Sequence, residues 1–326
     1  MPFQPLITVI ITNFNHAQWL AKRIDSVLGQ TYENLEIIIL DDASTDRSRE
    51  ILNEYANNSR IKRIIYNEVN SGSPFPQWQK AFQIADGDLI WIAESDDYSD
   101  PALLQNLVYA FEDENCVFAF CEVVEVDAFE KPLTYAPTLP ANWYEGKDFL
   151  KDKMTLFDSI SNTGVAVFRR STLNNVSNEY LNCQLSGDYR LFCEIIIQGK
   201  VFASGLPHAY FRKHEAELTS KLFGTLVNYK EHLEIVDWLI EMNIVGKEVI
   251  RSIVKPKLTW LYCVGKGMPH SEYDLWISLS RDSCNKHKVQ FPHLAASIKS
   301  FQIKAQHFYK RKIKERPWNN VNRIID

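Results

Sequence analysis

The sequence predicts an α/β protein, with a mostly parallel sheet flanked by helices and a C-terminal helical appendage. Two observations carry this. Apolar, β-branched runs of strand length alternate with amphipathic runs of helical length, the mark of βαβ units around a parallel sheet. Polar residues gather where each apolar run ends, as at a crevice outside the carboxyl ends of parallel strands.

The first run, residues 6–11, is continuous and β-branched, as a strand buried on both faces requires. It stops at Thr12-Asn13-Phe14-Asn15, and Asn15 is of a type that caps a helix. The helix expected at 16–28 puts Trp19, Leu20, Ile24, Val27 and Leu28 on one face, and Gly29 ends it. Residues 35–40 form a second strand, closed by Asp41-Asp42, with a helix expected to start near Ser44, Thr45 or Asp46. A third strand, 61–66, runs into Asn67 to Gly72; a helix follows over 75–85 and a fourth strand over 89–93. Trp78 and Trp91 read as packing residues. Pro101 suits the first turn of a further helix reaching residue 111.

Beyond it, 117–126 and 163–168 read as strands, separated by a Pro-, Tyr- and Trp-rich stretch suited to a loop over an acceptor. Ser186-Gly187-Asp188 opens a helix to about residue 198, and a short strand is expected at 201–203. From residue 225 amphipathic helical patterns continue, which places a boundary near 224 between domains 1–224 and 225–326.

The fourth strand ends in Glu94, Asp96 and Asp97. Clustered carboxylates at a buried strand end are costly unless a positive charge offsets them, and Mn²⁺ or Mg²⁺ with phosphate oxygens does so. The plainer reading is a solvated acidic loop that caps the next helix, and on the triplet alone that reading leads. A carboxylate at a strand end adds little to packing, so replacing Asp97 is expected to remove activity without unfolding the chain.

Composition excludes several classes. A 326-residue chain that is 45% hydrophobic can bury a large core. Its net charge of −5 gives no nucleic-acid signal. The six cysteines show no zinc spacing and read as reduced thiols of a cytoplasmic protein. Neither a signal peptide nor a membrane-spanning run is expected. The first strand lacks G-x-G-x-x-G, against a nicotinamide dehydrogenase.

Several motifs stand in order: Val-Ile-Ile-Thr-Asn-Phe-Asn at 9–15, Ser-Val-Leu-Gly-Gln-Thr-Tyr at 26–32, Glu-Ile-Ile-Ile-Leu-Asp-Asp-Ala-Ser-Thr-Asp at 36–46, and Glu-Ser-Asp-Asp at 94–97. Ser-Gly-Asp-Tyr at 186–189 and Tyr-Phe-Arg-Lys-His at 210–214 complete the set. Together they make the chain resemble the family 2 glycosyltransferases of GT-A (Rossmann-like) fold, over residues 6–220. The resemblance implies inverting transfer from a nucleotide sugar, with a UDP-sugar expected, to a glycan or lipid-linked acceptor in bacterial surface polysaccharide synthesis. By matching position it implies a nucleotide site at Thr12, Phe14, Asn15, Asp42, Asn70 and Asp96. It implies a Mn²⁺ or Mg²⁺ site at Asp96, Asp97 and His214, with Glu94 and Arg212 auxiliary, and Asp188 as general base. Glu94 stands where the family's Asp-x-Asp has its first aspartate, which leaves its contact with the metal open. That departure also keeps a second reading, a catalytically degenerate GT-A domain that binds a sugar nucleotide or a partner.

Each site residue has a plainer use. Asp188 suits a helix N-cap, His214 an ordinary basic-flanked turn, and Asp41 and Asp46 a turn and cap. Residues 299–316 carry seven basic residues against one acid, with interleaved aromatics. Such a stretch suits peripheral contact with the inner, anionic face of a membrane. A charge run is more often a solvated face, and the leading reading of the stretch is a helix packed on the main domain with its basic face in water.

Overall fold

The computed structural model describes residues 3–134, 139–156, 159–214, 225–264 and 269–292. Among the described residues ten strands form one sheet: β1 (Ile7–Asn13), β2 (Leu35–Asp41), β3 (Ile61–Tyr66), β4 (Leu89–Ile92), β5 (Tyr98–Ser99), β6 (Cys116–Val126), β7 (Pro132–Thr134), β8 (Asn142–Glu145), β9 (Ala166–Arg169) and β10 (Lys200–Arg212). Their order is β3-β2-β1-β4-β9-β6-β10-β5, with β7 on β6 and β8 on β10. The β3-β2-β1-β4 ladders are parallel, as the βαβ pattern requires. Antiparallel β9 then joins β4 to β6, and β6 pairs β10 in parallel, so the sheet is mixed beyond β4.

Helices α1 (Ala17–Leu28), α2 (Ser48–Tyr55) and α3 (Phe75–Ile84) connect the parallel strands. α1 buries Trp19, Leu20, Ile24 and Val27, the stripe read from the sequence, and also Arg23. Trp78 and Trp91 are core residues. α4 (Leu103–Val108) starts two residues after Pro101. Its start is held by Asp100, whose Oδ1 accepts from the Ala102 N–H at 2.8 Å. The carboxylates at 94, 96 and 97 are therefore not its caps.

A short α5 (Gly146–Phe149) precedes α6 (Gly187–Ile196). β10 is thirteen residues long where a short strand at 201–203 was expected. Gly205 at φ +68° and register shifts around Pro207 interrupt its pattern, and the strand resumes beyond them as far as Arg212.

The C-terminal helices are α7 (Leu226–Glu241), α8 (Val249–Val264) and α9 (His270–Lys286). The chain divides into compact units Met1–Ile244 and Val245–Asp326, so α7 belongs with the sheet unit. Residues 299–316 lie outside the described residues. No described helix is long and apolar enough to cross a membrane.

The β1-β4 junction tolerates no side chain at Gly87. A Cβ there would stand 2.4 Å from the Thr8 nitrogen and 2.9 Å from the Leu6 oxygen. Gly87→Ala is expected to destabilise the protein by about 1–3 kcal/mol through overpacking, read as a lower urea midpoint at unchanged slope.

Candidate active site

The strand ends converge as a hydrogen-bonded rim. At the end of β1, the Asn13 Nδ2 donates to Asp41 Oδ2 at 3.0 Å and to Ser44 Oγ at 3.1 Å. Asn15 takes the left-handed conformation, φ 56°. Its Oδ1 accepts from the Thr45 N–H at 2.8 Å and the Asp46 N–H at 3.3 Å. It does not cap α1 as expected, because its side chain faces the β2 turn. Asp46 performs that task, accepting from the Ala17 N–H and the Ser48 N–H at 2.9 Å each, and so joins the starts of α1 and α2. The structural reading of Asp41 and Asp46 holds.

Asp42 is buried and its oxygens are heavily engaged. Oδ1 accepts from Asn67 Nδ2 at 2.6 Å and Gln77 Nε2 at 2.7 Å, while Oδ2 accepts from the Ser71 N–H at 3.0 Å and Ser71 Oγ at 2.8 Å. Asn70 supports the same turn, donating to the Asp42 carbonyl at 3.1 Å and accepting from the Gly72 N–H at 2.7 Å. Phe14 is 42% exposed on the rim.

The end of β4 holds the charged centre. Glu94 accepts from Thr12 Oγ1 at 2.9 Å and Thr163 Oγ1 at 3.3 Å. Burial, and then the charge of Asp96, push the Glu94 carboxyl up to about 7. Asp97 accepts from the Arg212 backbone N–H at 2.8 Å and Asn162 Nδ2 at 2.6 Å. Burial, reinforced by Asp96, raises its pKa well above the usual carboxylate range. Asp96 goes the other way. Burial opposes its ionisation, but the hydrogen bond from His214 and the neighbouring imidazoles outweigh it, and its pKa is lowered. Three crowded carboxyls thus separate into one ionised acid and two held toward the neutral form.

His214 Nε2 lies 3.1 Å from Asp96 Oδ2, and His16 Nδ1 lies 4.0 Å from the same oxygen. Ligand atoms of His16, Asp96 and His214 all fall within 4.8 Å of one another. Among the described residues this is the one cluster with metal-binding geometry. It brings together two of the residues expected at the metal, Asp96 and His214, and adds His16. Asp97 lies outside it, tied to Asn162 and to the Arg212 backbone. Two arginines close the centre from behind: Arg23 Nε donates to the Glu94 carbonyl at 2.7 Å, and Arg212 Nε to the Asp96 carbonyl at 2.8 Å.

Asp188 sits apart from this network, in the first turn of α6. It accepts from the adjacent Tyr189 N–H at 2.8 Å, and burial pushes its carboxyl up to about 6. The start of α6 presses on α3: a Cβ on Gly187 would meet the Phe75 ring at 2.6 Å.

Residues 8–176 match the profile of Glycosyl transferase family 2. The chain belongs to that family. It is a transferase of GT-A fold, as the motifs implied. A UDP-glucose:α-D-GlcNAc-diphosphoundecaprenol β-1,3-glucosyltransferase of Escherichia coli, WfaP, is 26% identical over 71% of the chain and 86% of its own length. An uncharacterized glycosyltransferase of Nostoc sp. is 33% identical over 40% of the chain, which spans 41% of that relative. The transferase resembles the Staphylococcus aureus TarS fragment 1–349, solved with UDP-GlcNAc, at a TM-score of 0.64 and 18% identity, covering 86% of this chain and 81% of the other.

Of the residues that matter here, His16, Arg23 and Asn162 were not read from the sequence. His16 carried a weak signal, an imidazole directly after the polar end of the first strand. The premise that a carboxylate at this strand end adds little does not hold for Asp97, which is buried and accepts from two donors. Asp97→Ala leaves the Arg212 N–H and the Asn162 amide unpaired and should lower stability by about 1–3 kcal/mol. Asp97→Asn should retain most of it, since Asn162 Oδ1, which has no partner among the described residues, can accept after an amide flip. Thermal unfolding of the two variants checks this ordering.

Proposed function

We propose that this transferase moves a sugar from a UDP-sugar, with inversion, to a lipid-linked glycan acceptor in bacterial surface polysaccharide synthesis. The observation that carries the reading is the convergence of Asp96 with two imidazoles, His16 and His214, at the carboxyl ends of the parallel strands. A relative acting on a diphosphoundecaprenol-linked sugar supports the acceptor class, and a neighbour solved with UDP-GlcNAc supports the donor class.

Asp96, His16 and His214 would hold a divalent cation. The donor set fits one, since a carboxylate oxygen and two imidazole nitrogens converge within a single coordination sphere. Two imidazoles favour Mn²⁺ over Mg²⁺, which prefers an all-oxygen shell. When bound, the ion stabilises the charge of the departing diphosphate. The rim residues Thr12, Phe14, Asn15, Asp42 and Asn70 bind the nucleoside, Phe14 by offering its exposed ring to the base. Glu94 and Arg212 act indirectly, through the hydrogen bonds that shape the Asp96 loop. Asp188 takes the proton from the acceptor hydroxyl as that oxygen attacks the anomeric carbon and the bond to UDP breaks. The basic stretch 299–316 brings the protein to the cytoplasmic face of the membrane, where such an acceptor resides.

Incubation with a panel of nucleotide sugars, Mn²⁺ and undecaprenyl-diphosphate-linked sugars should release UDP from one donor, with an inverted linkage by NMR. A retained linkage contradicts the reading. Titration of Mn²⁺ alone by calorimetry should show binding lost in Asp96→Ala and weakened in both His16→Ala and His214→Ala; wild-type affinity in His16→Ala removes it from the ligand set. Asp188→Asn should keep UDP affinity and lose turnover. A base with a carboxyl raised to about 6 is active only when ionised, so kcat/KM should fall as pH drops through about 6.

A further inference from the structure

The segment that leads into Asp188 is held by a residue of α7, far outside the family-matched stretch. Glu231 is buried in the middle of that helix, and its carboxylate accepts three consecutive backbone N–H groups. Gln184 donates to Oε1 at 2.5 Å, and Leu185 and Ser186 donate to Oε2 at 3.1 and 2.7 Å. The N-cap residue of α6, Ser186, makes no side-chain cap of its own. A carboxylate from another helix therefore fills a backbone nest at the positive end of α6.

The rest of α6 is fixed by other means. Arg190 pairs with Glu194, Glu194 accepts from Ser177 Oγ, and the Tyr189 hydroxyl donates to the Met154 carbonyl at 2.6 Å. α7 backs this turn again where the Arg190 guanidinium lies 4.4 Å over the Trp238 ring. The contact specific to Glu231 is with residues 184–186, which lead through Gly187 to Asp188. Without it, three consecutive donors lose their acceptor. The backbone that carries Asp188 would then be free to shift, and the carboxylate, held locally by the Tyr189 N–H, would shift with it.

We propose that Glu231 is a positioning residue for catalysis: by occupying the nest before α6 it fixes the turn that carries Asp188, the proposed base. This makes α7 a working part of the transferase. It rests on the reading of Asp188 as the base. Glu231 also places a negative charge near Asp188, which adds to the effect of burial in raising its carboxyl. The other charged or titratable groups about this turn are Cys183, Arg190, Glu194, His232 and Glu234. Arg190 is already paired with Glu194, which leaves Glu231 as the charge acting on Asp188.

The test compares Glu231→Gln and Glu231→Asp with Asp188→Asn in the full-length protein. Glu231→Gln keeps the shape, loses the charge and turns one N–H toward the nest. UDP affinity and donor KM should stay at wild-type values while kcat falls by about ten- to a hundredfold, the scale of a misplaced catalytic group. The acid limb of kcat/KM should move to lower pH in Glu231→Gln, and Glu231→Asp, which keeps the charge, should leave that limb in place. Wild-type kcat and pH profile in Glu231→Gln, with Asp188→Asn inactive, overturns the Glu231 inference alone. Normal turnover in Asp188→Asn overturns the base reading itself. Loss of the cooperative thermal transition in both Glu231 variants would show a purely structural role and also overturn the inference.

Discussion

Two buried guanidinium groups make the carboxylate cluster at the end of β4 possible. Arg23 reaches it from α1 and Arg212 from the end of β10, and each is 1% exposed. Each donates through Nε to a carbonyl of the loop, at Glu94 and at Asp96, so they fix the backbone as well as supplying positive charge. Burying three acids in one turn without such partners would cost several kcal/mol per ionised group, of order the whole stability of a domain. The arginines are stacked in turn: Arg23 lies over Trp91, and Arg212 between Trp19 and Tyr98. The charged centre is thus assembled from α1, the end of β4 and β10, which delivers Arg212 at its last residue and His214 just beyond it.

This explains which parts were legible in the sequence. Strands β1 to β4 are short apolar runs with polar ends, and local pattern was sufficient to place them and their common rim. Asp96 and His214 were reached by matching motifs. Arg23 was not, because a charge beside an amphipathic stripe normally points to water, and its partner is 71 residues away. His16 belongs to the centre only because β1 and β4 are parallel neighbours, a fact of sheet order rather than of local sequence. Glu231 is hidden for the same reason: a glutamate inside a helix carries no mark of the three amides it meets 45 to 47 residues earlier.

Residue type was a better guide than assigned task. Asn15 and Asp46 were both read as caps, and the structure divides the work differently. Asn15 adopts a positive φ that its short polar side chain tolerates, and spends its oxygen on the turn after β2. Asp46 then reaches back from that turn to cap α1. The two residues cross-link the first two strand ends, so the rim is one unit rather than a row of separate loops.

The same economy governs Asp42, and it links the two halves of the proposed chemistry. Its carboxylate holds Asn67, Ser71 and Gln77, and Gln77 lies on α3. Phe75, two residues earlier on that helix, is the surface against which Gly187 packs, and Asp188 is the next residue. A nucleobase N–H that takes a place on Asp42 must displace one of these donors, because each oxygen already accepts at least two. Ser71 and Asn67 are on a surface turn and can yield to water; Gln77 is 1% exposed and cannot leave without stranding its amide. Donor binding on this reading rearranges the turn at 67–72 while α3 stays in place. On that reading the helix against which Gly187 packs is insulated from the change that admits the nucleotide, and the proposed base, Asp188, does not depend on donor binding for its place.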